Sequence, residues 1–315
     1  MKIIALVPIK NEAWILPAYL SSVRPLADEI IALDDGSTDD SKEIIERSGG
    51  LVFAAGMNGE KNINMSERRK KLLALGRERG GTHFIWLDAD ETFSGNFIKN
   101  GREIIAGLKP GEKLLMRWIA LWKSSDRYRN DDSPFGKNFK DFVSCDDPSY
   151  GFGDKFLSED RTPGPYDNCR TLGQEEGVVL HFQFAFWDRN QMKQAWYRCS
   201  ELINGSRSAK QINDIYSITL EDGYAENFLV PSGWLDGIEL PGGDTLPSSW
   251  HYDAILKFFN QRGIEFFEPL QIWHIKELHD EFVKKTGREP APLTFHPLYK
   301  FLRSAKRRIG RIIKH

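Results

Sequence analysis

Four short apolar runs in the first ninety residues, each followed by a polar stretch, constrain this chain more than any other feature. Ile3–Val7 is apolar from end to end over a strand's length, which is how a strand buried on both faces reads. Ile15, Leu16, Tyr19, Leu20 and Val23 then recur at helical spacing. Glu29–Leu33, Leu51–Ala55 and Thr82–Leu87 repeat the strand signal. Helical stretches lie between them, over Ser41–Ser48 and from about Ser66 through Leu72, Leu73 and Leu75. This alternation predicts an α/β fold with a mostly parallel sheet, right-handed crossovers and helices on its faces. In such sheets ligands bind beyond the carboxyl ends of the strands. Polar clusters fall at three of those ends: Pro8–Glu12, Asp34–Asp39 and Asp88–Asp90.

Further along, residues 113–122 and Val178–Phe182 read as strands, and 123–177 as loop-rich. A helix is expected from Asp188, as N-cap, to about Ile203, and others near 251–262, 272–286 and 297–314. Ser37 or Thr38 is the expected N-cap of the Ser41–Ser48 helix. A chain of 315 residues suits one large domain or two ordinary ones, and 20 Phe, nine Trp and nine Tyr exclude disorder as the main state. No apolar run reaches the length of a membrane span. The apolar start is cut off by Lys10, Asn11 and Glu12 too soon for a signal peptide. Three unevenly spaced cysteines give neither a disulfide framework nor a zinc pattern, so a reducing cytoplasm is the expected location.

The net charge of −2 conceals an asymmetry. Seven of the 43 bases fall in residues 300–315, which hold no acid, so the remaining 36 bases face 45 acids, a body near −9. An acidic body argues against a nucleic-acid substrate, since phosphate neutralisation needs a basic face.

Asp88-Ala89-Asp90 follows apolar Ile85-Trp86-Leu87; on an extended backbone residues i and i+2 point the same way, so both carboxylates are expected to face one ligand. Mg²⁺ and Mn²⁺ are commonly held by one or two carboxylates plus substrate phosphates, although an isolated Asp-x-Asp is more often a solvated turn. Asp34-Asp35-Gly36-Ser37-Thr38-Asp39-Asp40-Ser41 reads as a capping turn, with acceptors able to bind a base N–H or a ribose hydroxyl. Pro8-Ile9-Lys10-Asn11-Glu12 reads alone as a strand terminator and the first turn of a helix.

In this order and on these elements, the three segments resemble glycosyltransferase family 2 of the GT-A fold. The resemblance is close over residues 1–95. It implies a nucleotide held by Pro8, Lys10, Asn11 and Glu12, and Asp35 against a uracil. It further implies Asp88 at the ribose or the metal's water shell, Asp90 on the metal, and Arg68 or Arg69 near the diphosphate. His181, in Leu180-His181-Phe182, resembles a further metal ligand of several GT-A enzymes; a lone His beside aromatics equally reads as a core residue. The implied organisation is a catalytic domain over 1–230, with a nucleotide-binding half to 110 and an acceptor half over 111–230. A helical extension over 231–315 follows. The implied reaction moves a sugar from a nucleoside diphosphate donor, UDP-linked by preference, to a glycan or lipid-linked glycan hydroxyl. The expected setting is cell-surface polysaccharide or lipopolysaccharide assembly, with Mn²⁺ or Mg²⁺ and inversion of configuration.

An inverting transfer needs a carboxylate to deprotonate the acceptor. Glu159 and Asp160 are the first candidates and Glu175 and Glu176 the alternatives; the Gln-x-x-Arg-Trp signature of processive synthases is absent. In residues 300–315, Phe301, Leu302, Ala305, Ile309, Ile312 and Ile313 share one helical face ringed by bases. This tail reads equally as a peripheral contact with the inner face of the cytoplasmic membrane or as a solvated helix or dimer contact. Rival readings are a nucleotidyltransferase, against which Lys10–Trp14 lacks the glycines of a phosphate loop, and an idle, membrane-tethered nucleotide binder.

Overall fold

The computed structural model describes residues 1–56, 65–131, 136, 138–153, 161–205, 207–219, 227–242 and 250–292. The expected helix over 297–314 and the basic tail lie outside them, as do Glu159 and Asp160. The elements in chain order are β1 (Ile3–Ile9), α1 (Leu16–Val23), β2 (Glu29–Asp34), α2 (Ser41–Arg47), β3 (Leu51–Ala54), α3 (Met65–Glu78) and β4 (His83–Ile85). There follow β5 (Glu91–Phe93), α4 (Gly95–Ala106), β6 (Lys113–Ala120), β7 (Arg127–Arg129), β8 (Asn138–Cys145), β9 (Cys169–Thr171) and β10 (Val178–His181). The last are α5 (Trp187–Asn204), α6 (Ala209–Tyr216), β11 (Asn227–Leu229), α7 (Trp250–Arg262) and α8 (Lys276–Thr286).

The α/β class is as expected. One sheet runs β3-β2-β1-β4-β8-β6-β10-β5, with β9 also on β6; β7 and β11 form a separate ribbon. Pairings are parallel for β1 with β2 and β4, β2 with β3, and β6 with β9 and β10. They are antiparallel for β4 and β6 with β8, and for β10 with β5. β1 explains its own apolar run. Ile3, Ala5, Val7 and Ile9 pack with Leu16, Tyr19, Leu20 and Val23 of α1 and Phe97 and Ile105 of α4. Ile4 and Leu6 face the other way, with Leu72 and Leu73 of α3.

Three local expectations change. Pro8 does not end its strand: β1 continues to Ile9, with Pro8 opposite Leu33. Ile9 O accepts from Asp35 N–H, so Pro8's missing N–H faces the other side, where β4, paired only with Ile3–Ala5, has already stopped. Asp40 rather than Ser37 or Thr38 is the N-cap of α2. α5 begins at Trp187, which puts Asp188 in its first turn.

The chain forms two compact units, Met1–Asn190 with Asp222–Ser248, and Gln191–Glu221 with Ser249–His315. Residues 191–221 thus group with the C-terminal helices. The second unit has its own core of Ile212, Ile255, Phe259, Phe267, Leu278 and Phe282. In the first, α4 starts at Gly95, whose N–H donates to Trp234 O. A Cβ there would run into the main-chain oxygens of Gly233 and Asp236, so only glycine fits. No helix among the described residues is long and apolar enough to cross a membrane.

Cys145 and Cys199 are buried and Cys169 is partly exposed. Burial raises the pKa of all three thiols, furthest for Cys199. Titration of the folded protein with a chromogenic disulfide is therefore expected to label one thiol per chain quickly and the others only on unfolding. Rapid labelling of all three would contradict this packing.

Candidate active site

The ends of β1 and β2 are locked together by hydrogen bonds. Asp34 closes its own turn: Oδ1 accepts from Ser37 N–H (2.9 Å) and Oδ2 from Gly36 N–H (3.2 Å). Ser37 Oγ accepts from Asn11 N–H, Ser41 Oγ from Glu12 N–H and Asp39 Oδ2 from Ala13 N–H. Asn11, in the left-handed region at φ 54°, returns Oδ1 to Thr38 N–H at 2.7 Å. The second motif thus shapes the first, and the N–H groups of residues 11–13 are engaged inside the protein rather than held ready for a ligand.

Asp35 behaves differently from Asp34. Its carboxylate is 2.5 Å from Arg68 Nη2 on α3 and 3.4 Å from Lys10 Nζ, with the side chain 23% exposed. The structure therefore brings Lys10, Asp35 and Arg68 together at one sheet edge, with Asp34 as their brace. Glu12 accepts from Trp14 Nε1 at 2.7 Å. Trp14 in turn carries the Arg189 guanidinium 4.5 Å from its ring centroid, and Arg189 donates to Asn11 O. Burial draws the Arg189 pKa down while Glu12, Asp90 and Asp39 act against it, which places this cation among the motif carboxylates.

The Asp88–Asp90 segment is a turn, not the extended backbone expected: β4 ends at Ile85, and Glu91 N–H donates to Asp88 O. The two carboxylates consequently have different partners. Asp88 Oδ2 accepts from Arg161 Nη2 at 3.0 Å. Burial favours the neutral acid, but Arg161 and Arg69 outweigh it and hold Asp88 below the usual carboxylate range. Asp90 is buried; its main-chain oxygen accepts from Phe182 N–H, and its Oδ2 lies 3.4 Å from His181 Nε2. His181 ends β10, stacks on Trp118 at 4.5 Å between centroids, and has a buried Nδ1 without a hydrogen-bond partner.

Beneath this turn is a buried polar network that no motif in the sequence announces. Glu91, fully buried, accepts from Arg161 through both oxygens (2.5 and 2.7 Å), from Trp118 Nε1 (2.7 Å) and from Asp88 N–H (2.9 Å). The Arg161 guanidinium lies over the Phe142 ring. Arg69 is buried near Asp88, whose charge opposes the lowering of its pKa by burial. Lys140 stands over the Trp118 ring at 3.8 Å.

Glu175 and Glu176 are not brought to this turn. They precede Val178, at the other end of β10 from His181, and are exposed, with Glu176 accepting from Gly173 N–H. Neither is placed to serve as a base there. Among the described residues no group of three His, Cys, Asp or Glu side chains can hold a metal by itself. The donors that fit an ion are Asp90 and His181, a carboxylate and an imidazole, with Asp88 diverted to Arg161. Two protein ligands completed by phosphate oxygens form a recognised arrangement for Mg²⁺ or Mn²⁺, and the imidazole favours Mn²⁺.

Residues 4–106 match the family model Glycosyl transferase family 2, so the resemblance carried by the three turns is borne out. No curated protein matches the chain. Solved structures similar to parts of it include a mycobacterial protein (23% identity, 38% of this chain and 41% of that one, TM-score 0.29). Another is glucosyl-3-phosphoglycerate synthase from Mycobacterium tuberculosis in complex with UDP (28% identity, 28% and 34% coverage, TM-score 0.24). The same enzyme with Mn²⁺, UDP-glucose and glycerol 3-phosphate gives 24% identity, 38% and 44% coverage and a TM-score of 0.28. The chain spans less than half the length of each of these proteins.

Proposed function

We propose that this chain is a metal-dependent glycosyltransferase that moves a sugar from a nucleoside diphosphate donor, UDP-linked by preference, to an acceptor hydroxyl. One observation carries the reading: a single sheet edge gathers the Lys10–Asp35–Arg68 cluster, the Arg-bound Asp88 and the Asp90–His181 pair. Asp35 accepts from the base and Asp88 from a ribose hydroxyl. Asp90 and His181 hold the ion, which when bound neutralises charge on the departing diphosphate. Lys10, Arg68 and Arg189 add fixed positive charge around the same groups, where charge develops as the sugar leaves.

Glu91 cannot serve as base, because both its oxygens are engaged. Asp88, ion-paired and held below the usual carboxylate range, is too weakly basic. Glu159 and Asp160, which lie outside the described residues, remain the proposed bases for an inverting transfer. The apolar and basic pattern of residues 300–315 supports a lipid-linked glycan acceptor met at the cytoplasmic face of a membrane, in cell-surface polysaccharide assembly.

The test is a thermal-shift series with UDP, GDP, CDP and dTDP, each with and without MnCl₂. A ligand at a hundred times its Kd adds about 2.7 kcal/mol, which for a chain of this size is a rise of about 4 °C in Tm. UDP is expected to give that rise with Mn²⁺ and little without it. If no nucleotide stabilises the folded protein, the three turns are ordinary loops and the proposal falls.

A further inference from the structure

Asp88 is held from beneath by a construction larger than a turn requires. Four donors converge on the two oxygens of Glu91, and one of them, Arg161 Nη2, is shared with Asp88 Oδ2. Asp88 N–H also ends on Glu91, so both the main chain and the carboxylate of Asp88 are tied to one buried ion pair. Glu91 has no exposed surface and Arg161 little, whereas the Asp88 side chain is 33% exposed. The pair lies inside the protein and only its product, the direction of Asp88, reaches the surface.

We infer that Glu91 and Arg161 are positioning residues for Asp88: they hold Oδ2 and turn Oδ1 toward a hydroxyl of the ligand. The inference rests on the function proposed above, which supplies a ribose as the source of that hydroxyl. A carboxylate with one oxygen on a guanidinium keeps its capacity to accept a hydrogen bond but gives up part of its charge, which suits a hydroxyl better than a cation. Asp90, with an imidazole as its neighbour, keeps the metal role. The Asp-x-Asp segment is thus divided between two tasks by what lies beneath it: Arg161 under the first aspartate and His181 beside the second.

The experiment is calorimetry with two probes, UDP with MnCl₂ and inorganic pyrophosphate with MnCl₂, on the wild type and on Arg161→Met. Pyrophosphate has the metal-binding end of the nucleotide and no ribose. Arg161→Met is expected to raise the Kd of UDP about ten-fold or more, the effect of losing a hydrogen bond to a charged group, and to leave that of pyrophosphate within about two-fold. In an Asp88→Asn background, Arg161→Met is expected to cost nothing further, a non-additivity that a general loss of stability would not produce. Should Arg161→Met fail to fold with Glu91 left unpaired, Glu91→Gln/Arg161→Met removes both charges and carries the same expectation. Unchanged UDP affinity in a folded variant overturns the inference. An equal loss for both probes also overturns it, because Arg161 would then act on the phosphates. A wild type that binds neither probe removes the proposed function first, and this inference with it.

Discussion

Asp90→Ala is expected to abolish metal-stimulated turnover, lowering kcat/KM by about a thousand-fold or more, which is about 4 kcal/mol of transition-state stabilisation. The substitution is clean because Asp90 has two separable roles. Its main-chain oxygen receives Phe182 N–H and docks the turn on the end of β10, which alanine preserves. Its carboxylate, beside His181 Nε2, is all that is removed. The measurement is release of UDP from each of a panel of UDP-sugars in the absence of acceptor, with and without MnCl₂, together with Tm in metal-free buffer. Loss of the metal-stimulated rate at an unchanged metal-free Tm is the expected pair of results. A variant that retains the rate would place the ion elsewhere and return Asp90 and His181 to the structural role that a buried, aromatic-stacked histidine also allows. The same experiment separates an enzyme from an idle nucleotide binder, which has no turnover to lose.

How much of this was legible in the sequence depended on where each residue's partners lie. Strands covered on both faces must be apolar throughout, so β1, β2 and β4 show as runs, and the turns that end them show as interruptions. β8 lies in the middle of the same sheet yet gives no strand signal, because Asn138, Lys140 and Asp141 break its pattern. Those residues are accommodated by groups remote in the chain: Lys140 by the Trp118 ring, and buried Asp141 by Thr162 and Tyr166. α4 opens Gly-Asn-Phe and carries a second glycine at Gly101, which weakens its helical signal, while the contact that demands Gly95 is with residues 233 and 236.

The site divides in the same way. Asp35, Asp88 and Asp90 stand out in the sequence because order and element carry the resemblance. In the structure Asp34 closes its own turn, and Asp35 projects to Arg68. Arg161 was not legible: its partner Glu91 is 70 residues away. Arg189 reaches Asn11 across 178 residues, from a helix whose amphipathic pattern announced only packing. Glu175 and Glu176 are adjacent acids in a loop, a pattern that says nothing about which end of β10 the loop occupies.

The largest effect on stability is expected at Glu91. Glu91→Leu keeps most of the side-chain volume but removes the acceptor for four donors and leaves Arg161 buried, with Asp88 as its remaining hydrogen-bonded acid. Taking one partner from a buried ion pair costs about 3–5 kcal/mol, because the other charge stays desolvated. For a chain of this length that is a fall of roughly 5–8 °C in Tm. Losing a methyl-sized volume in the core would cost only about 1 kcal/mol, so scanning calorimetry separates the two explanations. The decisive comparison is Glu91→Leu/Arg161→Met. If the penalty is an uncompensated charge, removing Arg161 as well should recover more than half of the lost stability, since an apolar pair of similar volume can replace a buried salt bridge at little cost. The double variant would then be stable yet weak for UDP, separating what the pair does for the fold from what it does for Asp88. If Glu91→Leu instead costs less than about 1 kcal/mol, water reaches Arg161, and the charge beneath the turn is not held in the dry surroundings that make it effective as a guide for Asp88.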